Sequence, residues 1–369
     1  RNTLVVAQFV VAILLLTGTA VVYRQLNFIK NKNLGFDKGN LLYVPMTGEL
    51  WNKQPALRAA LERNPLTSGF SVISDLPTAL ISGTTDIDWP GRDPKSQVVI
   101  PSIDVDVKFM DVFKVKLLAG RGFSAALTTD SSNYMINEKM MQVIGMNIDN
   151  IVGQNIRFGD NKGTVIGVVK DFNFKPLQYA IEPLVLRFNR YGGLVMVRTQ
   201  PGKTEATIAA LEGISRSLNP SYPFTYSFLD KDLDNLYRGE QQMGSIFNLF
   251  AALAVFISCL GLYGLSAFMA EQRTKEIGVR KVLGASIFNI IYLLSANFTR
   301  LILIAMCIAI PLSWMAMSKW LDEFAYRIDI NWTILLAACT TALLIAWLTV
   351  SYESVKAAVA NPVKSLRTE

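Results

Sequence analysis

Few residues in this sequence could form a catalytic, metal-binding or nucleotide-binding site. The chain has no histidine, which excludes imidazole metal ligands and histidine-based proton transfer or nucleophile activation. The segment Pro201-Gly202-Lys203-Thr204 contains the Gly-Lys-Thr of a phosphate-binding loop. The position five before Gly202 is Val197, however, where that loop requires glycine. We therefore interpret the segment as a turn entering a helix and predict no ATP-hydrolysing site on this chain.

Acidic side chains offer a second candidate, a calcium or catalytic carboxylate site. The aspartates concerned are Asp86, Asp88, Asp104, Asp106 and Asp111. Alternation in a strand places Asp104 and Asp106 on its wet face, whereas Ile103 and Val105 point inward. Asp171 directly follows an apolar strand and is interpreted as a turn residue. We predict no catalytic residue, no metal ion and no cofactor.

The densest group of charges is residues 271–286 (EQRTKEIGVRKVLGAS), between two long apolar runs. Its candidate partner-binding residues are Glu271, Arg273, Lys275, Glu276, Arg280 and Lys281. A short basic loop between two spans is held on the cytoplasmic side by the positive-inside bias. Two interpretations stay open. The segment either docks on a partner through complementary charges or is a solvated connector in which Glu276 and Arg280, four residues apart, pair with each other.

Three residues are predicted to shape the helices around this charged segment. Gly284 can take the left-handed conformation that ends a helix, and Ser286 can cap the next one. That next helix, residues 287–298, has apolar positions at i, i+3, i+4 and i+7, which predicts an amphipathic helix at the membrane surface. Pro311 lies inside the third apolar run and is predicted to kink it.

Four apolar runs define the architecture. The chain of 369 residues is 51% hydrophobic and 18% charged, which is unusual for a soluble protein. The runs are each near the roughly 20 residues that cross a bilayer; they are residues 4–23, 246–269, 301–317 and 332–350. The first is too long for a signal peptide and no cleavage pattern follows it. The net charge of +7 fits juxtamembrane Lys and Arg contacting lipid, and no basic stripe with aromatics indicates nucleic-acid binding.

Small residues line one face of the second span. Gly261 and Gly264, with Ser258 and Ala254, fit close packing inside the chain's own bundle or dimerisation with a partner protein in the membrane. All three cysteines, Cys259, Cys307 and Cys339, lie in predicted spans, so no disulfide framework stabilises the polar part of the chain.

The polar block between the first two spans repeats one order of elements. Strand, helix and strand are predicted at residues 41–44, 55–63 and 70–73, and again at 194–198, 204–218 and 224–229. Two β-α-β units predict a ferredoxin-like α+β lobe, into which a β-rich lobe is inserted, with its clearest strands at 98–105 and 164–170. The predicted fold class is a membrane protein with four transmembrane α-helices and a large α+β extracytoplasmic domain.

The sequence is thereby divided into ten segments. They are transmembrane helix 1 (residues 1–23), a stalk helix (24–40), the core domain (41–229, inserted lobe about 86–190), a second stalk helix (230–245), transmembrane helix 2 (246–270), a coupling loop with amphipathic helix (271–298), transmembrane helix 3 (299–317), a short external link (318–331), transmembrane helix 4 (332–355) and a cytoplasmic tail (356–369). The first stalk helix is expected to stop at Gly35. The second is expected to run unbroken into its span.

Four stretches resemble the MacB/FtsX-type permease family of ABC transporters. Residues 273–286 resemble the family's loop after its second span, and 165–174 (VIGVVKDFNF), followed by Pro183, resemble its periplasmic core domain. Residues 324–330 (FAYRIDI) and 361–367 (NPVKSLR) resemble its late signatures. The resemblance covers nearly the whole chain.

This resemblance implies a multi-pass protein of the bacterial cytoplasmic (inner) membrane with its large domain in the periplasm. It implies a non-enzymatic permease that works with a separate cytoplasmic ABC ATPase and a second permease unit. Stalk helices would transmit ATPase motion to the periplasmic domain (mechanotransmission), and a periplasmic adaptor or outer-membrane channel would assist efflux of a drug, peptide or lipoprotein.

Two alternatives stay open. One is FtsX-like signalling to periplasmic partners such as cell-wall hydrolases, and the other is a membrane receptor without an ATPase. Because the sequence starts at Arg1, we expect it to be the second of two four-span units in a longer polypeptide.

Overall fold

The computed structural model describes residues 2–78, 80, 83–93, 95, 97–272, 276, 279–280, 283 and 287–359. They form two compact units, one combining residues up to Asn31 with those from Tyr237 onward, the other spanning Lys32–Leu236. The described α-helices are α1 (Asn2–Asn31), α2 (Gln54–Glu62), α3 (Phe109–Phe113), α4 (Glu138–Ile144), α5 (Thr204–Leu218), α6 (Leu229–Leu236), α7 (Arg238–Gln272), α8 (Ile287–Leu321) and α9 (Trp332–Val359). Short 3-10 helices lie at Gly48–Trp51 and Thr128–Ser131.

The described strands all belong to the second unit. They are β1 (Leu41–Pro45), β2 (Thr67–Ile73), β3 (Gly83–Thr84), β4 (Ile87–Asp88), β5 (Ile100–Val105), β6 (Leu117–Gly120), β7 (Tyr134–Asn137), β8 (Asn155–Phe158), β9 (Asn161–Val169), β10 (Val185–Phe188), β11 (Leu194–Thr199) and β12 (Ser227–Phe228). They form one sheet in the order β12-β1-β11-β2-β5-β10-β7-β9-β8-β4, with β3 paired to β5 and β6 to β9.

The first unit is a bundle of α1, α7, α8 and α9, each of which contains a stretch long and apolar enough to cross a membrane. Its interior is apolar, with Phe9 and Ile13 of α1 packed among Leu262, Phe298 and Ile302. Large apolar side chains also cover its outer surface, for example Phe256 and Leu348. Lipid is the solvent in which such a surface is stable, so these four helices are transmembrane helices.

Small residues bring the bundle helices close together. A Cβ added to Gly261 of α7 would lie 2.7 Å from Oε1 of Gln8 in α1, and Ser258 one turn earlier is buried. Gly264 has no atom within 4 Å of such a Cβ. Close packing inside the chain therefore explains Gly261 and leaves Gly264 free of contacts within the described structure.

Three helix predictions are wrong in their extent. The first stalk helix ends at Asn31 rather than Gly35, because Asn33 Oδ1 accepts the Gly35 N–H in a local turn that competes with the helix. The second is interrupted at Tyr237, next to Gly239, a poor helix former. Residues 287–298 are not a separate helix, because α8 continues through them to Leu321 with Pro311 inside it.

The ferredoxin-like lobe of the second unit is confirmed by its strand order. The strands β12, β1, β11 and β2 are antiparallel neighbours, with Leu42 opposite Val197 and Val195 opposite Val72. Helices α2 and α5 cover the sheet through Leu57, Leu61 and Leu211. The predicted last strand, 224–229, is largely wrong: it is reduced to β12, since Leu229 already starts α6.

The inserted β-rich lobe extends the same sheet instead of forming a second one. Residue Ile73 at the end of β2 pairs with Val105 of β5, and the sheet continues from there. The inserted lobe has its own core, which includes Tyr134, Ile136 and Val168. The predicted strands 98–105 and 164–170 are confirmed as β5 and β9.

Candidate functional site

The charged segment between α7 and α8 is described at Glu271, Gln272, Glu276, Val279, Arg280 and Leu283. Five of the predicted residues, Arg273, Lys275, Lys281, Gly284 and Ser286, lie outside the described residues, as does the stretch 361–367. Glu276 and Arg280 form an ion pair of 2.8 Å, with both side chains half-exposed. An exposed pair of this kind contributes little to stability, and both charges remain accessible from solvent.

Apolar side chains stand beside this ion pair. The N–H of Leu283 donates to the carbonyl of Val279 at 3.0 Å, so the helical hydrogen-bond pattern reaches this point. At helical spacing, residues 276, 279, 280 and 283 share one face. Leu283 is 80% exposed, more than any other large hydrophobic residue that is described. We call Glu276, Val279, Arg280 and Leu283 the coupling face; it combines charge with apolar surface, as protein interfaces do.

In the core domain, residues 165–174 contact residues 34–35, which belong to the segment by which the chain enters this domain (the entering segment). The backbone turns at Gly35 with φ +87°, and a Cβ there would lie 2.7 Å from the Asp171 carbonyl oxygen and the Phe172 Cα. The N–H of Asn173 donates to the Leu34 carbonyl at 2.7 Å. Only glycine permits this approach in that conformation. The family-like stretch therefore fixes residues 34–35 to the core.

Aromatic rings extend this contact into the core. Phe36 packs edge-on against Phe113 and Phe172, with ring centroids 5.9 and 6.4 Å apart. Phe172 also contacts Phe109 and Phe174. Such ring pairs stabilise beyond the area that they bury, so the entry segment is part of the hydrophobic core.

Arg198 of β11 binds the same segment from the other side. Its guanidinium donates to the carbonyl oxygens of Asp37 (2.7 Å), Gly39 (2.5 Å) and Val112 (2.6 Å). It also pairs with the Asp37 carboxylate at 3.3 Å. Burial acts to raise the pKa of Asp37, but hydrogen bonds from Lys114 and the Gly39 N–H, together with the Arg198 and Lys114 charges, outweigh it and hold that pKa below its ordinary value. The carboxylate therefore stays ionised and keeps its partners.

The segment that leaves the core domain is fixed as well. Helix α6 packs on β1 and buries Leu229 and Leu233. Burial, and then a hydrogen bond to Asp232, raise the pKa of Tyr43, so its hydroxyl stays protonated. Because Leu41 lies opposite Arg198 and Leu42 opposite Phe228, the entering and leaving segments meet neighbouring strands at one end of the sheet.

The predicted position of Asp106 on a wet strand face is wrong. Asp106 is 2% exposed, and its carboxylate accepts hydrogen bonds from Arg58, the Ser71 hydroxyl and the N–H of Val72. Strand β5 ends at Val105, so the alternation expected from the strand does not reach this residue. Asp104 is only partly buried and pairs with Arg187 at 2.6 Å.

Three other carboxylates have structural partners. Asp86 pairs with Arg157, and Asp88 accepts the Trp89 N–H. Burial raises the pKa of Asp171, whose carboxylate accepts the Lys139 N–H at 3.0 Å in the first turn of α4. Within the described ranges, His, Cys, Asp and Glu side chains form no group of three that could hold a metal ion.

No sequence pattern predicted the residues that fix the core-domain connections, above all Arg198, Asn173 and Asp37. Their partners are distant in the chain: Arg198 and Asp37, for instance, are 161 positions apart. The glycine at position 35 was the one available signal. Its position after a helix predicts a helix stop, whereas the structure shows that glycine is required there by the close approach of Phe172.

Two family models match the chain. An FtsX-like permease C-terminal model matches residues 248–362, and a MacB-like periplasmic core domain model matches residues 7–214, more than half of the chain. No curated protein sequence matched.

Three solved structures are among those to which this chain is similar. The periplasmic region of MacB from Actinobacillus actinomycetemcomitans is 16% identical, covering 56% of this chain and 97% of its own (TM-score 0.40). A domain of a putative permease protein from Porphyromonas gingivalis is 19% identical, covering 52% and 91% (0.38). The extracellular domain of the noncanonic ABC-type transporter YknZ from Gram-positive bacteria is 16% identical, covering 51% and 97% (0.35).

Four transmembrane helices in one unit and an α+β core domain in the other agree with the two matched family models. The chain therefore belongs to the MacB/FtsX-type permease family of ABC transporters.

Proposed function

We propose that this protein is the permease subunit of an ABC exporter in the bacterial cytoplasmic membrane, with its core domain in the periplasm. A separate cytoplasmic ATPase subunit docks on the coupling face, a second permease unit completes the assembly, and ATP-driven motion is transmitted to the core domain. Efflux of a drug, peptide or lipoprotein, through a periplasmic adaptor or outer-membrane channel, is the resulting activity.

The composition of the coupling face is the observation that carries this proposal. Leu283 and Val279 are exposed next to two half-exposed charges, in a segment that is too polar to be covered by lipid. Exposed apolar surface rimmed by charge is typical of a protein-binding site. Because the segment leads directly into α8, a force applied to it acts on a transmembrane helix.

The contacts that fix the entering segment and α6 to the core-domain sheet support the transmission of motion to this domain. Gly35, Asn173 and Arg198 hold the entering segment by short backbone contacts, and α6 is packed on β1. A displacement of these segments therefore moves the sheet, because backbone hydrogen bonds and ring contacts would otherwise have to break.

A charge exchange at the coupling face tests the proposal. Glu276→Lys with Arg280→Glu reverses both charges but keeps an i, i+4 ion pair, so helix stability changes by no more than about 0.5 kcal/mol. We expect the ATPase to be lost from the complex purified from native membranes in mild detergent, or retained without ATP-dependent export. An unchanged complex with unchanged export would overturn the proposed docking.

The matched control is the exchange of Glu212 and Arg216 on α5, an equally spaced ion pair of 2.6 Å in the core domain. It should leave the complex intact. Sidedness is checked in intact cells with an impermeant thiol probe, which should label a cysteine at Thr128 but not one at Glu276. The proteins that copurify distinguish export from FtsX-like signalling. An adaptor or outer-membrane channel indicates export, and a cell-wall hydrolase indicates signalling.

A further inference from the structure

Gln25, near the C-terminal end of α1, binds a segment 300 residues away in the sequence. Its Nε2 donates to the Tyr326 carbonyl oxygen at 2.9 Å, and its Oε1 accepts the Ile328 N–H, also at 2.9 Å. The side chain is fully buried. Both backbone groups belong to the link between α8 and α9, residues 322–331, within the stretch FAYRIDI.

The surroundings of Gln25 are apolar. Val21, on the preceding turn of α1, packs with Met317, Leu321 and Ile334, and Ile328 and Ile330 of the link pack against this cluster. In such surroundings an unpaired backbone N–H or C=O is strongly unfavourable. One amide side chain supplies both a donor and an acceptor, so the fully buried Gln25 satisfies two part-buried backbone groups at once and fixes the link to α1.

We propose that Gln25 is a positioning residue that locks the α8–α9 link to α1, so that a displacement of α8 is delivered to the end of α1. This inference rests on the proposed function. The charged segment leads into α8, α8 ends at Leu321, and the link follows directly. Helix α1 ends at Asn31 and the chain then enters the core domain. Gln25 therefore joins the helix that receives the force to the helix that leads to the core domain.

Leucine at position 25 tests this role, with Asn27→Leu as the matched control. Asn27 lies on the same helix and also carries an amide, but it is exposed and its contact is with Asn31. In the full chain in nanodiscs, we expect amide hydrogen exchange of residues 325–331 to become roughly tenfold faster or more in Gln25→Leu, since both hydrogen bonds from this side chain to the link are lost. Asn27→Leu should exchange like the parent protein.

Transmission is measured in the complex with the ATPase that copurifies, using Mg-ATP with orthovanadate as the probe. In the parent complex, nucleotide should change the exchange of residues 32–40. In Gln25→Leu this change should disappear while ATP hydrolysis stays within about twofold, because the ATPase site is untouched. A merely destabilised chain would lose both.

Each result decides the question. If residues 325–331 stay protected in Gln25→Leu, the lock does not exist. If they are released but the nucleotide response of residues 32–40 persists, the lock has no part in transmission. A parent complex with no nucleotide response at all contradicts the proposed function rather than the lock. Should Gln25→Leu fail to fold, Gln25→Glu replaces it, because glutamate keeps the acceptor for the Ile328 N–H but loses the donor to the Tyr326 carbonyl oxygen. Amide exchange of residues 325–331 in Gln25→Glu must then be faster than in the parent protein and slower than in an unprotected peptide.

Discussion

A fully buried carboxylate of the core domain and two fully buried hydroxyls of the bundle differ in their hydrogen bonding. In the core domain, Asp130 is fully buried and accepts two hydrogen bonds of 2.7 Å from Arg121 and one of 2.8 Å from the Ser124 N–H. Those hydrogen bonds, the Arg121 pair first, hold the pKa of Asp130 below its ordinary value. In the bundle, the hydroxyls of Thr17 and Ser313 are equally buried but have no hydrogen-bond partner among the described residues.

This difference indicates how each unit is held together. In the core domain, polar pairs such as Arg121 with Asp130 and Arg58 with Asp106 join different segments of the chain. Transmembrane helices associate mainly by van der Waals packing of small residues, here Ala305, Ala309 and Ala342. Sliding of these helices therefore breaks few hydrogen bonds. Side-chain hydrogen bonds between different segments of the bundle include those of Gln25 with the α8–α9 link and that of the Trp347 Nε1–H with Thr299 Oγ1.

The largest effect is expected for Asp130→Ala. It removes the buried carboxylate that accepts hydrogen bonds from Arg121, the Ser124 N–H and Asn133, and should lower the free energy of unfolding of the core domain by about 3 kcal/mol. Hydrogen exchange of β7 in the full chain, measured against urea concentration, reports that free energy. The contrasting variant is Ser313→Ala in the bundle, for which the free energy of unfolding should not fall, because the hydroxyl has no hydrogen-bond partner to lose among the described residues. Equal losses in the two variants would refute the comparison.

A smaller effect is expected where the entering segment meets the core. Gly35→Ala forces a left-handed residue against backbone atoms 2.7 Å away and should cost at least about 2 kcal/mol. Gly145→Ala, with a similar φ of +78° but no atom within 4 Å, should cost about 1 kcal/mol from the backbone alone. The same urea series measures both. If the two variants lose the same amount, the close contact with Phe172 contributes nothing.

The smallest effect concerns the small-residue face of α7. Gly261→Ala meets the flexible end of Gln8 and should destabilise the bundle by less than about 1 kcal/mol. Gly264→Ala meets nothing and should stabilise α7 by up to about 1 kcal/mol through helix propensity. Thermal unfolding of the purified full chain separates the two signs. Loss of the second permease unit from the complex in Gly264→Ala alone would show that this position is a contact between units.

Local patterns were sufficient for most elements. The repeated order of strand, helix and strand predicted β1, α2, β2 and β11, α5, and apolar runs of membrane-spanning length predicted all four transmembrane helices. Predictions were wrong where the role of a residue depends on contacts with residues that are distant in the sequence. Gly35 serves a contact with Phe172, and Asp106 is buried because Arg58 and Ser71 come to it from other elements.

Residue order alone was therefore enough to identify the segments that cross the membrane, those that form the α+β domain and the place of the charged segment. Periodicity and hydropathy are local properties, and they report which face of an element avoids water. The folded chain was needed to show that β2 pairs with β5 to make one sheet, that Arg198 and Asn173 bind the entering segment, and that Gln25 joins α1 to the α8–α9 link. Those contacts form to backbone groups that are distant in the sequence and would otherwise lack a hydrogen-bond partner in the folded chain. No spacing along the sequence indicates which groups these are.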